Sequence, residues 1–447
     1  MNTKRILMIV CALLTMGRAS GATYYVKPGG SDAAAGTNWV TAFQTISNAV
    51  ARSSAGDTVV VTNGKYSVSV PVNIAKAITV RGASGNPRDT VIDGQGVTSC
   101  LTMNSSGAFF AGFTLTNGFA LKGAGGIVNN GVVSNCVVTG NRANSDGGGL
   151  VLGVPSGSAT IRLFDCLVAN NTSLTNRGGG IYAGDQFTSV VLNRCVVSNN
   201  ISGGAGGGLY SKYGGVCAVS NSLFYGNWST NSVGGGLCQG YSAGLVIESS
   251  TFARNVARVS GGGIYTTTPK TGSAIRNCLI RGNRAEIGEY GTRGAGGVSL
   301  SGANMLMSSC TIVENDAGAA RGGGLFLGDA FLKNCIIYRN TATNQAAQYA
   351  EVNLMQWYRY TNAWNTCESK GQFIASQNNI TSDPKFANVS AGDFQLQRTS
   401  PCFNKGTNEI WMVTARDLLG AKRICGPSVD MGAYEYVYAA GFVIVVK

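Results

Sequence analysis

The chain has 447 residues, of which 44% are hydrophobic, 12% are charged and 64 are glycine. The apolar content excludes a disordered chain and the 8 prolines exclude collagen, so a sizeable core can be buried. The formal net charge is +13, and the chain has no histidine. This charge either attracts anionic partners or only gives the protein a basic surface that aids its solubility.

The first 22 residues have the composition of a secretory signal peptide. Lys4 and Arg5 precede an apolar stretch over 6–16 that is too short to span a bilayer, and small residues end the segment at Ala22. The segment carries three of the 34 basic residues, so its removal leaves 31 basic against 21 acidic residues. We therefore expect a secreted, extracellular monomer, released or associated with the cell surface or outer membrane, with no transmembrane segment in the mature chain.

Residues 23–118 are predicted to form an N-terminal cap and the first coils. Four apolar residues within 42–53 lie at helical spacing and predict an amphipathic capping helix: Phe43, Ile46, Ala49 and Val50. Short alternating apolar runs follow this segment and predict strands.

Residues 119–340 repeat one phrase eight times. Each copy has a small anchor residue, followed five positions later by asparagine. The anchors are Cys136, Cys166, Cys195, Ser222, Ser250, Cys278, Cys310 and Cys335. The asparagines are Asn141, Asn171, Asn200, Asn227, Asn255, Asn283, Asn315 and Asn340, at intervals of 25 to 32 residues.

Glycine triplets in most copies would destroy helical repeats, and the apolar residues come in short runs typical of strands. The repeat therefore predicts an all-β solenoid, a parallel β-helix, in which equivalent residues of successive coils lie above one another. We expect the eight asparagines to form a structural ladder, each hydrogen-bonding the next coil and tolerating the left-handed backbone of a bend.

The cysteines raise the question of disulfides. The anchor cysteines exchange with serine, which indicates free thiols in a core ladder, and the absence of histidine and of Cys-x-x-Cys pairs makes a metal site improbable. After Asn340 the phrase stops, so 341–447 are predicted to hold the last coils and an irregular C-terminal cap. Cys367, Cys402 and Cys425 lie there, and a bridge among them is left open.

Several motifs resemble known families. The opening "YYVKPGGSD…AFQTISNAV…GDTVVVTNGKY" (24–66) is similar to secreted right-handed parallel β-helix proteins of the pectin-lyase-like superfamily. The "GGGL" and "GGGI" phrases, with "FYGN" (224–227) and "FARN" (252–255), resemble the repeats of polymorphic outer membrane proteins. Residues 382–406 and 417–436 resemble the C-terminal part of choice-of-anchor Q proteins. The resemblance implies the right hand of the helix and specifies the fold better than the activity.

Enzymes of this fold family cleave acidic polysaccharides, which the resemblance implies as one function class. A hydrolase resembling polygalacturonases would need clustered carboxylates and a histidine, and the chain has no histidine. A lyase would need a Lys or Arg base, often with Ca²⁺ held by Asp or Glu. Four carboxylates come from neighbouring coils: Glu286, Glu289, Glu314 and Asp316. They could form an acidic patch, but we favour scattered surface charge.

Two further side-chain sets could contact a glycan. Four arginines fall on two successive coils and are candidate contacts for a polyanion or simple solvated surface: Arg254, Arg258, Arg281 and Arg284. Tyr182, Tyr210 and Tyr265 share one position that should face outward, where they would suit sugar rings or pack on the sheet surface.

The sequence leaves two function classes. We favour a non-catalytic, adhesin-like or glycan-contacting scaffold without a cofactor, because the array shows no concentrated site. The alternative is a polysaccharide lyase acting on uronate polymers by β-elimination, and Ca²⁺ enters only with that alternative. In both cases the expected partner is an extracellular or cell-wall polysaccharide, or another surface polyanion, and not a specific nucleic acid.

Overall fold

The structure, a computed structural model, describes residues 21–437 apart from 154–158, 185–187, 213–214, 241–242, 289–293, 301–304, 329, 344–350, 355–362 and 374–376. The first 20 residues, which hold most of the predicted signal peptide, lie outside the described residues, as do 438–447. The domain boundaries predicted from the sequence stay predictions.

Most strands recur once per coil and form two long parallel sheets. Sheet A has 13 strands: Thr23–Val26, Thr58–Val61, Thr79–Gly82, Phe109–Ala111, Gly131–Ser134, Ala159–Phe164, Thr188–Asn193, Val216–Ser220, Gly244–Glu248, Ser273–Arg276, Met305–Ser308, Phe331–Lys333 and Ala363–Trp364. Sheet B has 12 strands: Gly64–Ser67, Thr90–Asp93, Thr114–Thr116, Val137–Thr139, Leu167–Ala169, Val196–Ser198, Leu223–Tyr225, Thr251–Ala253, Leu279–Arg281, Thr311–Val313, Ile336–Tyr338 and Cys367–Glu368.

The rest of each coil supplies two further parallel sheets. Sheet C has 11 strands: Val72–Ile74, Leu101–Met103, Gly126–Val128, Leu150–Leu152, Ile181–Ala183, Leu209–Ser211, Leu237–Gln239, Ile264–Thr266, Val298–Leu300, Leu325–Leu327 and Val352–Leu354. Sheet D has seven short strands: Phe119–Ala120, Arg142–Ala143, Thr172–Ser173, Ile201–Ser202, Trp228–Ser229, Val256–Ala257 and Arg284–Ala285.

Strands of successive coils pair in register. Val138 lies beside Val168, and Val168 lies beside Val197, so an apolar column runs up the inside of sheet B. These three valines are fully buried. The stacked parallel sheets form a right-handed parallel β-helix, which confirms the predicted fold class.

A short helix covers the N-terminal end of the stack. It spans Ile46–Arg52, shorter than the predicted segment, because the Thr45 side chain accepts the backbone N–H of Asn48 and sets the first turn. Ile46, Ala49 and Val50 face the core, as the periodicity predicts.

Each repeat coil has two tight corners made by residues in the left-handed region. One stands directly before the anchor, with φ between 47° and 55°. The other stands directly before the ladder asparagine, with φ between 53° and 67°, at Gly140, Asn170, Asn199, Gly226, Arg254, Gly282, Glu314 and Arg339. The expectation that the ladder asparagines themselves adopt this conformation is therefore wrong: the preceding residue makes the bend, which frees the asparagine amide to point inward.

The anchor cysteines are free thiols buried between sheets A and B. The Sγ atom of Cys166 donates to the carbonyl of Phe164 at 3.2 Å. Where serine takes the anchor position, Ser222 Oγ accepts the N–H of Cys195 at 3.0 Å. Burial raises the pKa of the Cys310 thiol well above its ordinary value, which keeps this thiol protonated and unreactive.

The C-terminal region packs along the side of the last coils. It contains an antiparallel pair, Phe386–Asn388 with Asp393–Leu396, and two 3₁₀ turns, Val389–Ala391 and Ile410–Val413. Its apolar side chains cover the outer face of sheet B in one buried cluster, which includes Leu279, Val313, Ile336, Phe386, Phe394, Cys367 and Cys402. The two cysteines are free thiols there, and Cys425 is a free, exposed thiol.

Candidate functional site

The eight predicted ladder asparagines lie in one buried column along the helix axis. Asn171 shows the pattern: its Nδ2 donates to Val138 O at 2.9 Å and to Asn200 Oδ1 at 3.0 Å. Its Oδ1 accepts the N–H of Asn141 at 3.1 Å and the Nδ2 of that residue at 2.9 Å. The column satisfies the polar groups at each corner, so its role is structural.

A glutamate ends the ladder. In the part of the chain that the structure describes, no asparagine continues the column beyond Asn340, and the N–H and Nδ2 of Asn340 donate instead to Glu351 Oε2 at 3.2 Å and 2.7 Å. Ser369 Oγ donates to the other carboxyl oxygen at 3.1 Å. Glu351 was not predicted from the sequence, because it follows Asn340 by only 11 residues and lies outside any repeated phrase.

The structure separates the four predicted arginines into two sets. Arg258 pairs with Glu286 at 3.0 Å, and Arg284 pairs with Asp316 at 3.6 Å. Arg254 and Arg281 instead line a cavity of about 620 Å³ with Glu314, Arg339 and residues 389–392. We call this cavity the arginine pocket. Arg339 was missed, although it stands directly before a ladder asparagine as Arg254 does.

The carboxylates considered for an acidic patch do not gather. Glu286 and Asp316 each face an arginine, Glu314 lies in the arginine pocket, and Glu289 is outside the described residues. Within the described part of the chain, no three His, Cys, Asp or Glu side chains are grouped so that they could hold a metal ion.

The tyrosine column does not reach solvent as a stripe. Tyr182 and Tyr210 stack at 5.7 Å between ring centroids, and only 9% and 6% of their surfaces are exposed. They point away from the main core, but Ala205 and Val233 from the segments before the glycine turns pack over them. The column thus faces outward as expected, and the cover over Tyr182 and Tyr210 favours packing on the sheet surface over contact with sugar rings.

An apolar groove lies between the outer face of sheet A and the C-terminal region. Its volume is about 720 Å³, and its lining residues are Met305, Leu306, Phe331, Leu332, Lys333, Trp364, Asn365, Asn378, Thr407 and Glu409. Phe331 and Trp364 lie nearly parallel, at 14° with 6.2 Å between ring centroids, and Phe331 is 40% exposed. We call this site the aromatic groove.

Polar groups at the rim of the aromatic groove are held in place. Glu409 accepts the Ser308 hydroxyl at 2.7 Å and the Trp411 indole N–H at 2.8 Å, and lies 3.9 Å from the Lys333 amine. The Thr407 hydroxyl donates to Asn365 Oδ1 at 2.9 Å. An apolar, aromatic site with a few oriented polar groups at its edge suits a ligand with both hydroxyl groups and apolar C–H faces.

The aromatic groove was not predicted from the sequence either. Phe331 lies in an outward column of sheet A that also contains Phe109 and Leu306, and the alternation of its strands could have marked it. Trp364, Thr407 and Glu409 follow the last repeated phrase, so nothing periodic announces their position.

Comparisons with known proteins agree with this architecture. Residues 168–348 match the family model described as a right-handed β-helix region. The fold is similar to that of pectate lyase Pel9A, with a TM-score of 0.53 and 14% identity over 94% of this chain and 97% of that one. It is also similar to XylC in complex with xylose, with a TM-score of 0.51 and 10% identity over 93% and 98% of the two chains. A search of curated protein sequences found no match.

At these identities the two solved structures show a shared fold alone. Among the described residues, no helix combines the length and the apolar character needed to cross a membrane.

Proposed function

We propose that this protein is an extracellular, non-catalytic polysaccharide-binding β-helix that holds sugar rings in the aromatic groove. The observation that carries the proposal is the nearly parallel pair of the exposed Phe331 and the half-buried Trp364 in an apolar site. Aromatic faces pack against the C–H faces of sugar rings, while Lys333, Glu409 and Thr407 at the rim offer partners for hydroxyl groups.

Three further features support this proposal. The net charge of +13 favours attraction to acidic polymers. The sequence of the first 22 residues predicts export to the compartment where such polymers occur. One of the solved structures with this fold, XylC, was obtained with the sugar xylose bound.

The second candidate is a polysaccharide lyase. It is supported by the likeness to pectate lyase Pel9A over most of both chains and by the Lys333 amine at the groove rim, which could act as the base of a β-elimination. Against it, Glu409 is the single carboxylate among the described lining residues of the groove, so a carboxylate-rich cation site is not evident beside Lys333.

The aromatic groove can be tested with a matched pair of variants. Phe331→Ala removes the exposed ring in the groove, whereas Phe109→Ala removes a 37% exposed ring from the same outward column, eight strands away on sheet A. We expect F331A to weaken binding of xylan, polygalacturonate or alginate by about fivefold, on the order of 1 kcal/mol, in calorimetric titration. F109A should bind as the unmodified protein does.

Equal affinities for F331A and F109A would remove the aromatic groove from the proposal. The same polymers incubated with Ca²⁺ and followed by ultraviolet absorbance of unsaturated products test the lyase candidate. Product formation that is lost in Lys333→Ala would replace the scaffold with an enzyme.

A further inference from the structure

The arginine pocket lies at a different place from the aromatic groove. It is formed at the corner between sheets B and D, where Arg254, Glu314 and Arg339 stand directly before ladder asparagines, and residues 389–392 of the C-terminal region close its other side. The C-terminal region covers sheet B between the two sites.

Charged residues take this corner at a conformational cost. Arg254 and Arg339 have φ of 55° and 62°, in the left-handed region that long side chains rarely adopt. In the other repeat coils, apart from Glu314, the same position holds glycine or asparagine, which tolerate the conformation better. A more tolerant residue would serve the corner as well, so the arginines point to a role outside the backbone.

Contacts with neighbouring residues orient two of the three guanidinium groups. Arg281 donates from Nη1 to Gly392 O at 3.3 Å and lies 5.6 Å from the centroid of the Phe394 ring. Arg254 donates from Nη1 to Tyr225 Oη at 3.1 Å. Gly392 adopts φ of 74°, and a Cβ at this position would require the flexible end of Arg281 to shift. Each of these two guanidinium groups uses one N–H donor in the bonds described, and its other N–H donors stay available to a ligand.

The charge of the pocket is not balanced internally. No described residue forms an ion pair with Arg254, Arg281 or Arg339, and Glu314 supplies the one carboxylate of the lining. The other two arginines of the same coils, Arg258 and Arg284, each have an acidic partner. The pocket therefore presents three positive charges against one negative charge at a site whose lining is mainly polar.

We infer that the arginine pocket binds an acidic sugar unit of a polysaccharide through its carboxylate or sulfate group. Guanidinium forks match both anions, and a cavity of about 620 Å³ is far larger than one inorganic ion needs. The site is a second contact, apart from the aromatic groove, and makes the polymer that binds this protein an acidic one. That the ligand is a polysaccharide rests on the proposed function. That the pocket binds an anionic group is independent of it.

The test compares two double variants with the same loss of charge. R254Q/R339Q removes two unpaired arginines of the pocket, and R258Q/R284Q removes two paired arginines. Calorimetric titration with polygalacturonate, dextran sulfate and uncharged dextran separates carboxylate, sulfate and neutral ligands. We expect R254Q/R339Q to weaken binding of polygalacturonate, dextran sulfate or both at least tenfold, and R258Q/R284Q to change it less than twofold.

Ser390→Asp provides a second route to the same result. Ser390 is exposed on the segment that closes the pocket, so its replacement adds a negative charge without altering a coil. It should weaken binding of the same polymer as R254Q/R339Q does. Circular dichroism of each variant shows whether it is folded.

The outcomes separate this inference from the proposed function. Equal losses of binding affinity in the two double variants would contradict a binding role for the arginine pocket and would indicate a general effect of charge. Wild-type affinity in R254Q/R339Q combined with weak binding in F331A would also overturn the pocket while the aromatic groove stands. Weak binding in R254Q/R339Q with unchanged binding in F331A would support the arginine pocket as a binding site and contradict the aromatic groove as one.

Discussion

At the scale of single residues, the asparagine ladder depends on a regular exchange of hydrogen bonds at the corners. Each internal asparagine bonds the next coil through its amide and the previous coil through its carbonyl, in sites with almost no solvent exposure. A buried amide that lost its partner would be left unsatisfied, at a cost of about 1–3 kcal/mol for each orphaned group. The end of such a column therefore needs a substitute partner, and Glu351 is that partner.

The capping role of Glu351 predicts a pH dependence of stability. Burial raises the pKa of its carboxyl above the ordinary value of 4.5, although the bonds from Asn340 oppose the shift. The folded state thus holds the proton more tightly than the unfolded state does, and stability falls as the pH rises from about 4.5 toward the raised pKa. Glu351→Gln keeps an acceptor for Asn340 and cannot titrate. The melting temperature of the wild type minus that of E351Q should decrease as the pH rises above about 4.5.

If the difference in melting temperature between the wild type and E351Q stays constant as the pH rises above about 4.5, the Glu351 carboxyl does not have the raised pKa. Glu368, whose pKa is also raised by burial, is present in both proteins, and Glu368→Gln in each background removes its own contribution from the comparison.

At the scale of elements, the glycine triplets allow the turns between sheets D and C to stack. The first glycine of a triplet adopts positive φ, as at Gly234 with 67°. The second is needed for a different reason: a Cβ on Gly235 would lie 2.5 Å from the carbonyl oxygen of Gly262 in the next coil. The third is restricted in the same way, since a Cβ on Gly236 would lie 2.5 Å from the carbonyl oxygen of Gly263. The three glycines are thus explained by backbone conformation at the first position and close backbone approach at the other two.

Gly235→Ala should destabilise the protein more than a glycine-to-alanine substitution at a position with open space around it. The new methyl group meets backbone of the next coil that cannot move without breaking the stack, so we expect a loss of about 3 kcal/mol or more. Gly272 is exposed and has open space around it, with φ of 87°, so Gly272→Ala should cost about 1 kcal/mol from backbone strain alone. Chemical denaturation of both variants measures the difference, and comparable losses would contradict the steric explanation.

At the scale of the whole molecule, the C-terminal region is attached to the coils by polar contacts as well as by the apolar cluster. Asn277 Nδ2 donates to Arg416 O at 2.7 Å, and Asn334 Nδ2 donates to Thr407 O at 2.9 Å. Within the region, Arg423 is fully buried and forms a 3.0 Å ion pair with Glu435. This attachment positions both candidate sites, since Glu409 and residues 389–392 come from the same region.

The buried ion pair predicts an unequal response to single and double substitution. Burial raises the pKa of the Glu435 carboxyl to about 8. At about pH 9, Arg423→Met therefore leaves a buried carboxylate without its ion-pair partner, which should cost about 3–5 kcal/mol of stability. Arg423→Met combined with Glu435→Leu removes both charges and should lose less than the single variant. Thermal unfolding and limited proteolysis of the C-terminal region measure this order. A double variant less stable than the single one would show that the remaining hydrogen bonds of Arg423, not its charge, hold the region.

The sequence by itself determined the periodic part of this protein. A residue that recurs once per coil occupies one column of the stack, so the spacing of Asn141 to Asn340 was enough to predict the parallel β-helix, the inward ladder and the free anchor thiols. It also brought Arg254 and Arg281 to attention, because they lie beside ladder positions.

Tertiary structure alone decided which side chains meet across coils and across the C-terminal region. Arg339 joins Arg254 in one pocket while Arg258 and Arg284 pair with acids, and Phe331 meets Trp364 beside Glu409. These contacts depend on how a region without repeats folds back over sheet B. No periodic pattern specifies that path, because its position is set by the packing of Phe386 and Phe394 on the finished coils.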